Sequence, residues 1–265
     1  MKPNGALDFT TDELYFLLGY YGPCISFGLG EPYLGKFAEE IEQATSKAQH
    51  SLAEDGYLHR AEDGTYSIDD AIVKTIRVCA HPNHTAVIAT QKANKPKQIF
   101  YLHFSHELLV EQSCVGKDKH RLLPLPNRSA ALERLTEQFH LKGQTAADGG
   151  RFQLPETTLF ETRDLIRKGH TRKASKLLTD AGLTQKHSQT LIRALEAPSS
   201  NSSVAVVINR DEPDTQHVNG LGIFESEKKM WALVSMPTKK GNEVEFIPSS
   251  ASEIEARLRD LLPAL

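Results

Sequence analysis

Histidine is the residue type whose spacing most invites a chemical reading in this chain. His81 and His84 form an HxxH pair, His103 and His106 form another, and His120 follows closely. Imidazoles at that spacing bind zinc when further nitrogen, sulfur or carboxylate ligands join them. His103, however, belongs to a run from Gln98 to Ser105 in which Ile99, Tyr101 and His103 alternate with Phe100, Leu102 and Phe104. On a strand, positions three apart point to opposite faces, so His103 and His106 converge only through a turn. No HExxH motif and no carboxylate at a ligand spacing accompanies them, and the histidines read as solvated loop residues. Cys24, Cys79 and Cys114 are far apart, odd in number and without a CxxC, so neither a disulfide framework nor a cysteine zinc site is expected. Cys79 falls on an apolar helical face and reads as a small core residue.

Nucleophile and phosphate motifs are also missing. The chain has no GxSxG and no P-loop, and Gly28-Leu29-Gly30 continues into Glu31-Pro32-Tyr33 rather than completing GxGxxG. The serines concentrate in two loop-like stretches, Ser199 to Ser203 and Ser249 to Ser252. The expectation is no catalytic residue, no cofactor site, no metal site, and a protein that is not an enzyme.

The formal net charge of −3 argues against non-specific binding to nucleic acid or to a membrane, both of which favour a basic face. No apolar run approaches the roughly 20 residues that cross a bilayer. The opening MKPNGALDFTTDEL lacks the apolar core of a signal peptide. With the cysteine usage, this fits a reducing, cytoplasmic location.

The elements follow from periodicity. Thr10-Thr11-Asp12-Glu13 reads as a capping box for a helix with Leu14, Leu17 and Leu18 on one face. Gly19 to Gly35, rich in glycine and aromatic residues, reads as a loop or broken helix. Phe37, Ile41, Ala44, Ala48 and Leu52 make an amphipathic helix, ended by Asp55-Gly56, and a short hairpin turns at Asp63-Gly64. Ile68, Ile72, Ile76 and Cys79 form the next helical face, stopped at Pro82. Four strands follow (Thr85 to Gln91, Gln98 to Ser105, Glu107 to Val115, Arg121 to Leu125), then a helix through Leu132, Leu135 and Phe139.

That order then returns. Residues 144–151 read as a linker between a first half, 1–143, and a second, 152–265, the two forming one compact domain. Helices at Glu156 to Lys168 and Arg172 to Ala181 precede Leu191, Ile192 and Pro198. Strands at Val204 to Asn209, Asn219 to Glu225, Lys228 to Met236 and Glu243 to Ile247 precede a last helix capped at Ser252 to Glu255. Ile76, Arg77 and Pro82 match Ile192, Arg193 and Pro198 at a shift of about 116 residues, with Ala197 and Ser200 standing where the first copy has His81 and His84. The fold class is therefore α+β, a pseudo-twofold internal duplication with an antiparallel central sheet flanked by helices. Two meanders in one chain can pair edge to edge, with helices on one face and the other open to a partner. Trp231, between Met230 and Met236, reads as core, with an interface role as the alternative.

The alternative function is a winged-helix DNA-binding regulator using residues 36–67, where a helix precedes two short strands. Its helix carries Gln43, Lys47, Gln49 and His50 but also Glu39, Glu40 and Glu42, a poor charge balance for phosphate contacts.

Several stretches together resemble the EspG family, chaperones associated with ESX, or type VII, secretion. They are the opening FTTDELYFLL, the helix closing in SLAEDGYL, the passage AIVKTIRVCAHPNHTAVIAT with the strand pairs after it, and the closing EFIPSSASEIEARLRDLLP. The resemblance spans nearly the whole chain. It implies a pseudo-twofold α+β fold and a cytosolic, non-enzymatic protein that binds a secreted helical substrate, of the PE/PPE kind or another type VII client. It transfers no contact residue, because the shared pattern contains no local motif. Two stretches depart from the family pattern: the segment Gly19 to Gly35, and the short polar turn Lys92 to Lys97.

Overall fold

The computed structural model describes residues 5–263 except 23, 25–26, 63–64, 149, 197, 209–217 and 239–240. Strand β1 (Leu7–Thr10) hands over directly to helix α1 (Thr11–Gly19). The Thr10 hydroxyl accepts from the Glu13 amide at 3.2 Å, and Glu13 Oε2 accepts from the Thr10 amide at 2.7 Å, the capping box expected from the sequence. A long loop, with turns but no helix among its described residues, leads to α2 (Ala38–Glu54). The hairpin strands β2 (Leu58–Arg60) and β3 (Tyr66–Ile68) and helix α3 (Asp70–Ala80) come next; the Asp63-Gly64 turn lies outside the described residues.

The first meander is β4 (His84–Lys92), β5 (Gln98–Phe104), β6 (Leu109–Cys114) and β7 (Lys119–Leu125), followed by α4 (Arg128–Gln138). Short strands β8 (Thr145–Ala146) and β9 (Phe152–Pro155) precede α5 (Glu156–Arg167), α6 (Thr171–Asp180) and α7 (Gln185–Glu196). The second meander is β10 (Ser200–Ile208), β11 (Val218–Ser226), β12 (Lys229–Thr238) and β13 (Gly241–Pro248), and α8 (Ala251–Leu261) closes the chain. The order of elements in the two halves is thus alike, apart from β8 and the β2–β3 hairpin.

The sheet has eleven strands. Its path is β1-β7-β6-β5-β4-β10-β11-β12-β13-β9, with β8 joined in parallel to β12. At the centre, β4 and β10 pair antiparallel from Lys92 opposite Ser200 to His84 opposite Ile208. Each meander therefore covers the open edge of the other, which removes two aggregation-prone edges at once. Short strands occupy the outer ends: β1 on β7, reinforced by Arg121 gripping Asp8 at 2.7 and 3.0 Å, and β9 on β13. The expected linker is fastened to the sheet, since the Thr145 amide donates to the Lys228 carbonyl and the Ala147 amide to that of Met230.

Helices cover both faces, where the sequence pointed to one. On the first face Ile88, Phe100, Leu102, Phe104, Val204, Leu221 and Ile223 pack under α4 and α8 through Leu135, Ile254 and Leu258. Each such fully buried aliphatic contributes about 1.5–3 kcal/mol. Arg134 of α4 holds the buried Glu111 carboxylate of β6 through two bonds of 2.9 Å, and Arg128 donates to the carbonyls of Arg259 and Leu262 at the end of α8. On the second face there are two separate cores. α1, α2 and α3 bury Leu14, Leu17, Leu52, Ile72 and Ile76 with Phe9, Val110 and Leu122 at one end. At the other end α5, α6 and α7 bury Leu159, Leu178, Leu191 and Ile192 with Phe224, Trp231, Val244 and Phe246. The cause is visible in strands such as β5, whose two faces are both rich in apolar and aromatic residues and both need a cover.

Candidate binding surface

Between those two helical groups the second face of the sheet is left partly open. Strand register shows which side chains meet there, since directly paired residues share a face. One row across the centre is Tyr101, Val87, Ala205 and Gly220; the next is Ile99, Ala89, Ser203, Gly222 and Leu233. Apart from Tyr101, Ile99 and Leu233 these are small residues, and Ser203 and Gly220 are exposed while Val87, Ala89, Ala205 and Gly222 are half-buried. The result is a shallow saddle over β5, β4, β10 and β11. Gly222 is small for a packing reason: a Cβ there would meet the Leu233 Cβ at 3.0 Å.

The two sides of the saddle are built differently. On the second-half side Phe224 and Trp231 pack with ring centroids 5.8 Å apart beneath the α5–α7 group. Trp231 is buried, so its core reading holds. On the first-half side the segment after α1 folds down onto the sheet. Phe27 lies 5.8 Å from the Tyr101 ring and 5.7 Å from His103, and Tyr101 and His103 are stacked. Gly28 has φ +72, and a Cβ on it would stand 2.6 Å from the Tyr101 ring, so this position needs glycine both for its backbone and for its closeness to the sheet.

A buried polar relay anchors the same segment. Gln112 Nε2 donates to the Phe27 carbonyl at 2.8 Å, which turns Gln112 Oε1 toward His103 Nε2 at 2.9 Å. His103 therefore carries its proton on Nε2 and accepts from the Thr85 hydroxyl at Nδ1, 3.2 Å away. Burial pushes the His103 imidazole down to about 4, with the Gln112 bond working the other way, so it is neutral at physiological pH.

The other histidines do not join it. His106 lies in the turn between β5 and β6, where the Ser105 hydroxyl accepts from the Glu107 and Leu108 amides. His81 donates to the Tyr21 carbonyl at 3.0 Å, and His120 bonds the Thr11 hydroxyl at 3.0 Å near the far edge of the sheet. Burial lowers the His120 pKa, partly offset by Asp118. Among the described residues no three His, Cys, Asp or Glu side chains are grouped to hold a metal ion. Cys79 is buried in the α1–α3 core, and its thiol is pushed well above the ordinary range by that burial. No described helix is long and apolar enough to cross a membrane. In the 36–67 segment the helix-and-hairpin arrangement is present, but the exposed charges on α2 include Glu39, Glu40, Glu42 and Glu54 against Lys47, the wrong sign for a phosphate backbone.

No protein-family model matches the sequence, and no curated protein does either. A solved structure does match. It is that of the Mycobacterium tuberculosis type VII secretion system chaperone EspG5 in complex with the PE25-PPE41 dimer. The match has a TM-score of 0.66 at 12% sequence identity and covers 97% of this chain and 97% of that one. The resemblance read from the sequence is thereby borne out at the level of architecture: from end to end, this chain has a fold similar to that of the secretion chaperone EspG5.

Proposed function

We propose that this chain is a non-enzymatic, cytoplasmic protein-binding chaperone or adaptor for a secreted helical client of the PE/PPE type. The observation that carries the proposal is the whole-length likeness in fold to a chaperone whose structure contains a PE–PPE dimer. The saddle supports it physically. Small side chains at Val87, Ala89, Ser203, Ala205, Gly220 and Gly222 let a helical tip approach the sheet closely, and half-exposed Tyr101 and exposed Ile99 offer it apolar area. Docking there would cover part of the client's apolar surface until export.

The test is co-expression with a PE–PPE pair encoded by the same genome. A complex should co-elute on size exclusion, and Ala89→Arg with Ser203→Arg should abolish it while the melting temperature stays unchanged. Failure to recover any complex with the genome's PE–PPE pairs would overturn the client assignment. A complex indifferent to the double substitution would remove the saddle as its seat.

A further inference from the structure

The exposed apolar residues of this chain are unevenly distributed. Of its most exposed large hydrophobics, Tyr15, Tyr20, Leu34 and Phe37 belong to α1, the loop after it and the start of α2. Tyr20 is 53% exposed, Leu34 79% and Phe37 75%. Exposed large hydrophobics gathered in one stretch of chain point to an interaction site, where scattered single ones do not. The place is separate from the saddle: α2 packs chiefly on α1 and on β2.

Between α1 and α2, Tyr15 and Tyr20 border a shallow cavity of about 370 Å³, lined also by Phe16, Tyr33, Ile41 and Thr45. The rings stand edge to face, Tyr15 against Tyr33 at 5.0 Å and Phe16 against Tyr20 at 5.2 Å. Ring faces are the negative side of the aromatic quadrupole and attract cations. The chain already shows this with its own residue: the Lys36 ammonium lies 5.0 Å from the centroid of Tyr33.

The charge of the surrounding segment has the same sense. Residues 11–47 hold six carboxylates and two lysines, which more than accounts for the net charge of −3 of the whole chain. Two of the six are engaged locally, Glu13 on the Thr10 amide and Glu40 on the Phe37 amide. Of the others, Asp12 stands on α1 beside Tyr33, and Glu31, Glu39 and Glu42 are exposed on the loop and the first turns of α2. Burial, helped by Asp12 at the Tyr33 hydroxyl, holds that phenol up at about 12, so the ring presents no charge of its own.

We propose that this aromatic groove between α1 and α2 is a second docking surface, and that it takes a cationic amphipathic helix of a partner protein. Aliphatic side chains of that helix would fill the cavity between Tyr15, Tyr20 and Tyr33. Its arginines or lysines would lie across the rings and meet Glu31, Glu39 and Glu42. The groove between two helices is the usual seat for such a segment, and the acidic rim sets the sign of its partner.

The test uses the full chain and a fluorescein-labelled helical peptide with leucines on one face and arginines on the other, read by anisotropy at physiological salt. A twin with glutamate for every arginine is the control. Saturable binding of the arginine peptide is expected, weakened at least about tenfold by Tyr20→Ser with Tyr33→Ser, and likewise by Glu39→Lys with Glu42→Lys. Phe160→Ser, at an exposed aromatic on α5, should leave it unchanged. Absence of saturable binding overturns the proposal. So does equal binding of the glutamate twin, or groove variants that bind like Phe160→Ser. Sedimentation of the chain alone separates the other occupant, a second copy offering its basic stretch Arg167 to Lys176. Self-association lost both in Glu39→Lys/Glu42→Lys and in Arg172→Glu/Lys173→Glu would assign the groove to that copy and overturn the partner named here.

Discussion

Gln112 and His103 are hydrogen-bonded at 2.9 Å beneath the loop that follows α1, and Gln112 carries the bond onward to the Phe27 carbonyl at 2.8 Å. One buried amide thus fixes both the tautomer of the histidine and the position of a loop that borders the saddle. Gln112→Leu strands the buried His103 N–H and the half-buried Phe27 carbonyl. The expected loss is about 2 kcal/mol, seen in urea unfolding, with faster proteolytic cleavage within residues 19–35 than elsewhere.

His103 also makes stability depend on pH. Its folded pKa of about 4 lies below the ordinary value of 6.5, so the unfolded chain takes up a proton there before the folded one does. Above pH 6.5 both states are neutral at this residue and the full stability is present. As pH falls from 6.5 toward 4, up to about 3 kcal/mol is lost. Urea midpoints across that window should fall less steeply in His103→Gln than in the parent chain.

Arg134 and Glu111 join α4 to the sheet in a partly desolvated pair. Arg134→Ala leaves a buried carboxylate without its cation and should cost about 3 kcal/mol by thermal or urea unfolding. Replacing both, with Glu111→Leu and Arg134→Met, should cost much less, because no charge is then left unpaired.

Gly28 and Gly22 separate two kinds of glycine requirement. Both have positive φ, but only Gly28 has the Tyr101 ring within reach of a Cβ. Gly22→Ala should cost about 1 kcal/mol for the backbone alone, and Gly28→Ala about 1–3 kcal/mol more. Adding Tyr101→Ala to Gly28→Ala should recover the contact part and leave the backbone part.

Much of the fold was legible because local chemistry and tertiary context agree. The capping box at Thr10, the alternation in β5 and the proline turns after α3 and α7 carry their own instructions. Strands β1 and β9 were not legible: each has four residues and is defined by the strand it lies against. β10 starts at Ser200 rather than Val204, because polar Ser200 to Ser203 is held on both sides, by Lys92 to Ala89 and by Glu225 to Gly222. The end expected at Asn209, like Ala197, lies outside the described residues. The saddle was hidden for a related reason. Ala89, Ser203 and Gly222 are unremarkable where they stand in the sequence, and only the register of three strands sets them side by side. The groove between α1 and α2 lies within a stretch whose odd aromatic content was plain, but its pairing of rings required the fold.

The β4–β10 pairing at the centre of the sheet has a consequence for biogenesis. At about 5–20 residues per second of translation, the first meander leaves the ribosome several seconds before its central neighbour exists. During that interval β4, with Val87 and Ile88, presents an unpaired edge. An orphaned first half would satisfy this edge by pairing β4 with the β4 of another nascent chain. Ribosome spacing on the message, as much as the finished contacts, therefore bears on how much of this protein reaches its finished sheet.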